Sequence, residues 1–226
     1  MIEANLPPYW LLMVYRVPSE PSRHRVAVWR EMKRMGALYV QNCVCLLPGF
    51  RGVRKKLEEV AQRIEGMSGS SLTFEIRKIA EPALSEVIAG FREQSNREYD
   101  EIIEECTTKF QKEIEFERFR QNFTYEEAEE IWSDLEKIRA WLARVVERDW
   151  VGSERRVEAE RRVVESEEAF DAFERECFAA SQQETPVESP DGDLMRTVGL
   201  ARQALRRRPR RTGRIPHRSR PAEQPG

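Results

Sequence analysis

Apolar and polar positions change period repeatedly along the first 80 residues and then settle to a helical one. Tyr9 to Tyr15 is a continuous apolar run closed by Pro18 and Pro21, the pattern of a buried central strand. Behind Ser22, which can cap a helix, Val26, Trp29, Met32 and Met35 recur about every three residues and stop before Gly36. This spacing predicts an amphipathic helix with Val26, Trp29 and Met32 turned inward. Ala37 to Leu47 is rich in β-formers and long enough for two strands or one bent strand, stopped by Pro48-Gly49. Phe50, Val53, Leu57, Val60 and Ile64 form a second helical stripe that ends at Gly66. Leu72, Phe74 and Ile76 then alternate with Thr73, Glu75 and Arg77, the period of a half-buried strand. The order β-α-β-β-α-β predicts a ferredoxin-like domain over residues 1–80.

From Pro82 the strand signal stops and three long helical patterns follow. Leu84, Ile88, Phe91, Tyr99, Ile102, Cys106, Phe110 and Ile114 mark the first, and Ile131, Leu135, Ile138, Leu142 and Val145 the second. Thr124 and Glu127 have capping-box spacing after Asn122-Phe123, so a helix-helix turn is expected near 122. A third pattern runs through Val157, Val164, Phe170, Phe173 and Cys177 and fades by Gln182-Gln183. Residues 82–183 therefore read as an antiparallel helical bundle, and the chain as α+β. Residues 184–226 shift to Pro, Gly, Ser and Arg, a composition too poor in apolar surface to offset ordering entropy. They are expected to be a disordered basic tail, with a short helix around Leu194 to Arg207.

Composition narrows the function. Of the 226 residues, 35% are charged, well above the usual quarter, and no apolar run reaches the roughly 20 residues that cross a bilayer. A cytoplasmic protein without a membrane partner is the expectation. Four cysteines and two histidines show no metal-ligand spacing, so no metal, no cofactor and no disulfide framework is expected. The net charge of −2 conceals a polarity: residues 1–63 carry +6, 64–193 carry −17 and 194–226 carry +9. The two basic ends suit phosphate, which the acidic middle would repel.

Arg16, Arg23, Arg25, Arg30, Lys33 and Arg34 fall at the end of the first strand and along the first helix. Positions 23, 30 and 34 share one helical face, and guanidinium groups make bidentate contacts to phosphate and other tetrahedral oxyanions. Charge alone favours a solvated face salt-bridged to Glu20, Glu31 and the acidic helices over a phosphate-binding one. Arg51, Arg54, Lys55 and Lys56 open the second helix against its own dipole, which suggests an external anion or a plain basic cluster. Cys43 and Cys45, two apart on an expected strand, would share a face; a thiol pair could meet an oxidant, but core packing is the commoner role. The glutamate runs 101, 104, 105 and 126, 127, 129, 130 lack an interleaved histidine and read as solvated faces. No Ser-His-Asp, Walker or dinucleotide signature marks a catalytic residue, so no enzyme is expected.

Tyr9-Trp-Leu-Leu-Met-Val-Tyr-Arg-Val-Pro-Ser-Glu-Pro-Ser-Arg, Val26-Ala-Val-Trp-Arg30 and Lys33-Arg-Met-Gly-Ala-Leu-Tyr-Val-Gln-Asn42 resemble the N-terminal domain of the chromate-resistance regulator family ChrB. Arg97-Glu-Tyr-Asp-Glu101, Phe123-Thr-Tyr-Glu-Glu-Ala-Glu-Glu130, Asp134-Leu-Glu-Lys137, Trp141 and Arg148-Asp149 resemble it in the same order, over about residues 9 to 180. The resemblance implies a chromate-responsive transcriptional regulator of a chromate-efflux operon that binds promoter DNA, with chromate as effector. A homodimer is the expected assembly. On that footing Arg16, Arg23, Arg25, Arg30, Lys33, Arg34, Arg51, Arg54 and Lys55 are the expected DNA contacts, and Arg16, Arg23, Arg25, Cys43 and Cys45 the oxyanion-sensing candidates. The first 80 residues also resemble, more distantly, the ferredoxin-like nucleases of CRISPR adaptation and the matching domain of PaaX-type repressors. Those nucleases hold a divalent metal with an Asp at the end of the first strand, where this chain has Arg16, a cation that repels one. The alternative from another class is an adaptor or oxyanion sensor that does not bind DNA and acts through its helical region. No helix-turn-helix or zinc finger is present to name a base-reading element.

Overall fold

The computed structural model describes residues 6–183. The expected tail and its short helix lie outside the described residues. Four strands, β1 (Trp10–Arg16), β2 (Leu38–Gln41), β3 (Val44–Pro48) and β4 (Ser70–Ile76), form one antiparallel sheet in the order β2-β3-β1-β4. Helix α1 (Ser22–Arg34) joins β1 to β2, and α2 (Arg51–Gly66) joins β3 to β4. The rest is helical: α3 (Ala83–Glu104), a π-helical segment (Glu105–Phe110), α4 (Gln111–Arg120), α5 (Tyr125–Glu147) and α6 (Arg156–Gln183). The architecture is α+β and mostly helical.

β1 is the central strand, with register from Trp10↔Pro48 to Val14↔Val44 on one side and from Trp10↔Ile76 to Arg16↔Ser70 on the other. Its alternation divides the apolar run between two cores. Leu11 and Met13 meet Val28 and Met32 of α1 and Leu57, Val60 and Ile64 of α2. Trp10 turns to the opposite face, where it stacks on Phe91 of α3 with ring centroids 5.5 Å apart. The helical core gathers Tyr99, Ile102, Cys106 and Phe110 with Ile131, Leu135 and Ile138 of α5 and Phe170 and Phe173 of α6.

Several expectations are corrected. Ser22 is the first residue of α1 and its cap position is Pro21, with no side-chain cap. Val26 and Trp29 are 42% and 49% exposed, and the buried positions of α1 are Val28 and Met32. The reason is geometric: three residues turn a helix by about 300°, so a run of strict threes drifts about 60° per step and cannot hold one face. On β4, Leu72 is 63% exposed and Phe74 is also exposed, because α3 covers the neighbouring half of that sheet face around Trp10 and Leu46. On α6, Val157 and Val164 are exposed while Ala159 and Val163 are buried. Thr124 does cap α5: its side chain accepts from the Glu127 amide at 3.3 Å. The box is not closed, since the Glu127 carboxylate takes the Asn122 amide at 3.2 Å instead.

Sheet and bundle meet at the connection from α5 to α6. Trp150 packs against both cores of the sheet, and its ring lies 5.8 Å from that of Phe50. Asp149 Oδ2 accepts from the Tyr99 hydroxyl at 3.3 Å and from the Ser153 amide at 3.0 Å, and Arg148 pairs with Glu98. Lys33 Nζ donates to Gln94 Oε1 at 3.4 Å and ties α1 directly to α3.

Candidate functional site

The outward face of α1 is built by the same geometry that buries Val28 and Met32. Residues 23, 30 and 34 fall opposite them, and Arg23, Arg25, Arg30 and Arg34 are all exposed, with Lys33 half-buried. Arg16 is exposed at the last position of β1, beside Ser70. Between these cations lie the exposed Val26 and Trp29, which sequence reasoning had assigned to the core. A tryptophan in an apolar repeat hides its exposure; the strict-threes drift was the signal that could have found it.

The carboxylates expected to neutralise this face are committed elsewhere or are distant. Glu31 pairs with Arg63 of α2. Among the described residues, Arg16, Arg23, Arg25, Arg30 and Arg34 have no ion-pair partner within 4.0 Å. On the acidic helices the pattern is opposite: Arg118 forks onto Glu176 at 2.8 and 2.9 Å, and Arg161 and Arg162 share Glu158 and Glu165. The salt-bridge explanation offered by charge alone thus fits the bundle and not α1.

α2 has Phe50 at its cap position, without a side-chain cap, and no acidic residue in its first turn. Arg51 and Lys55 are exposed there. Arg54 is differently placed, since it bonds Glu75 of β4 at 2.6 Å and lies 5.3 Å from the centre of the Tyr9 ring. It clamps α2 to the sheet, so of the three basic residues it is the one already occupied within the fold.

The cysteine pair does not form. Cys43 sits in the Asn42-Cys43 turn between β2 and β3 at φ 61° and is exposed, whereas Cys45 on β3 is buried among the residues facing α1 and α2. A two-residue hairpin favours positive φ, and that turn takes Cys43 off the strand, so the i, i+2 rule does not apply. Burial pushes the Cys45 thiol up to about 12, with the nearby Cys43 adding to the shift. It is therefore a neutral packing group at physiological pH. Tyr15 and Tyr39 share a 2.9 Å hydroxyl contact nearby, and desolvation raises the pKa of both.

Among the described residues no group of three or more His, Cys, Asp or Glu side chains is placed to hold a metal ion, and no helix is long and apolar enough to cross a membrane. The class defined by fold and site is a small α+β protein with an unneutralised basic helix beside its sheet and an acidic helical bundle behind it. The family model described as Protein ChrB, N-terminal, matches residues 25–184, and the chain belongs to that family. Membership ties it to chromate resistance. Arg25, Arg30, Lys33 and Arg34 lie inside the matched span, and Arg16 and Arg23 lie before it. No curated protein matches the sequence.

Proposed function

We propose that the protein is a DNA-binding, chromate-responsive transcriptional regulator, a repressor of a chromate-efflux operon in the cytoplasm. The observation that carries this is the outward face of α1, where arginines without carboxylate partners among the described residues flank an exposed tryptophan. Unpaired guanidinium groups on a rigid helix favour phosphate, and an aromatic between them adds an apolar surface for sugar or base. Arg16, Arg23, Arg25 and Arg30 form the centre of the contact, with Lys33, Arg51 and Lys55 at its margin. Arg54 supports the sheet behind it. The element order and the sheet order β2-β3-β1-β4 fit the ferredoxin-like plan, in which helices on one face present their outer surface to a partner.

A homodimer belongs to the proposal. β4 is an edge strand of the sheet with Leu72 and Phe74 exposed, and a paired regulator would meet a two-fold operator. The protein is not a nuclease, since Arg16 stands where the related enzymes place a carboxylate. The test is mobility shift against the promoter of its own operon, with and without chromate. Sequence-specific retardation relieved by chromate is expected, and binding no tighter than to scrambled duplex would overturn the proposal.

A second reading, an adaptor acting through its helical region, is favoured by one observation. Phe116, Phe119, Tyr125 and Phe178 are exposed where α4 turns into α5 and α6 ends, and Phe119 is 86% exposed. Aromatic side chains left in solvent are what a protein partner would cover.

A further inference from the structure

From Ser22 to Arg34, α1 contains no asparagine, glutamine or threonine, and its one serine is the first residue. The paired amide contact that reads adenine in the major groove is therefore closed to this helix. Arginine reads guanine, but a reader built of arginine alone has no use for the two apolar side chains that stand among its cations. Trp29 is 49% exposed and Val26 42%, one turn apart. At about 100° per residue, Arg25 lies about 40° to one side of Trp29, while Val26, Arg30 and Arg23 lie about 60°, 100° and 120° to the other. Guanidinium groups thus bracket the apolar ridge on both flanks, and none of the three has an ion-pair partner among the described residues. The charge calls for a polyanion with a phosphate row on each side, and the apolar crest for an unsolvated surface between them. Duplex DNA supplies both. The exposed aromatics of α4 are set differently, since Arg118 and Arg120 beside them are paired with Glu176 and Glu117. The ridge on α1 is also firmly mounted: Val28 and Met32 on the inner side of the helix are fully buried, and Glu31 pairs with Arg63 of α2.

We infer that Trp29, backed by Val26, enters the duplex at one base step and partly unstacks it, while the arginines on either flank hold the two strands. This rests on the DNA reading of the same face and supplies it with a base-contacting element. Selection then works through deformability rather than through hydrogen bonds to base edges. A step that opens at low cost, pyrimidine–purine above all, binds best, and the duplex kinks where Trp29 enters.

The test uses the full chain and two short duplexes of one generic sequence, the first fully paired and the second mismatched at its central two base pairs, so that neither an operator nor chromate is needed. A mismatch has much of the unstacking already done, and the wild-type chain is expected to bind that duplex about tenfold tighter. Trp29→Ala is expected to lose this preference and to keep the salt dependence that the arginines supply, whereas Trp29→Phe, which keeps a ring, retains most of the preference. Arg23→Ala with Arg30→Ala should weaken both duplexes alike. In a readout that needs no variant, 2-aminopurine in the central step of the paired duplex should brighten when the wild-type chain binds, as an unstacked base does. Equal affinity for the two duplexes, a preference that survives Trp29→Ala, or an unchanged 2-aminopurine signal would overturn the insertion. So would a loss of affinity on replacing thymine by uracil, which would set Trp29 and Val26 against thymine methyl groups in the major groove. Steeply salt-dependent binding without any preference sinks the insertion and leaves the DNA reading standing; no binding to either duplex sinks both.

Discussion

Arg23 and Arg30 stand seven residues apart on the outer face of α1, each exposed and each without a carboxylate partner among the described residues. Replacing both with alanine is expected to weaken operator binding several-fold or more and to flatten the slope of log affinity against log salt by roughly two, one unit per lost phosphate contact. The melting curve should hold; a lowered melting temperature with unchanged affinity would return these arginines to a structural role. Cys43 is the exposed thiol, while Cys45, Cys106 and Cys177 are buried, and burial holds Cys45 near 12 and Cys177 near 11. A thiol reagent added to native protein at pH 8 is therefore expected to label one cysteine rapidly and three only on unfolding. Rapid loss of two thiols would show that Cys45 is reachable and revive the paired-thiol idea.

At the scale of elements, Thr124 carries a visible load. Its side chain satisfies one of the free amides at the start of α5, and Thr124→Ala is expected to cost about 1 kcal/mol in chemical denaturation. That cap was legible because it depends on two residues at a fixed spacing. The strands and the helix boundaries at Gly36 and Gly66 were legible for the same reason, being local. The orientation of α1 was not, because Val26, Trp29 and Met32 satisfy a loose count of threes that the helix cannot keep on one side. The π-helical segment was equally hidden, though its trace is in the sequence. Ile102, Cys106, Phe110 and Ile114 are all buried at steps of four, which in an α-helix would drift about 40° each. The wider turn at Glu105–Phe110 absorbs that drift and keeps the row against α5 and α6.

For the whole molecule, the polarity of charge makes two further demands. The segment 196–220 holds ten arginines, and its deletion is expected to weaken operator binding and reduce its salt dependence, measured over a salt series with the full chain alongside. An unchanged slope would leave the tail without a part in DNA contact. The acidic bundle carries the opposite cost: desolvation, then Asp134 and Glu127, raise the pKa of Glu113. A carboxyl whose folded pKa is raised opposes folding above that pKa and ceases to do so as pH falls through it. Glu113→Gln should therefore raise the melting temperature at pH 7, with the gain shrinking as the pH is lowered toward the carboxylate range. Gly36 ties these regions together. It has φ 70°, and an added Cβ would come 2.8 Å from Trp150 Nε1 and 2.9 Å from Arg148 Cβ. Any larger residue would push the end of α1 off the bundle without altering a basic side chain on the outer face of α1. In genetic terms, the proposed repressor role makes codon 36 a regulatory locus: a screen for constitutive expression of a chromate-efflux operon under its control should recover substitutions there alongside those in the arginines. Such alleles should be suppressible by second changes at Trp150 that make room for the new side chain.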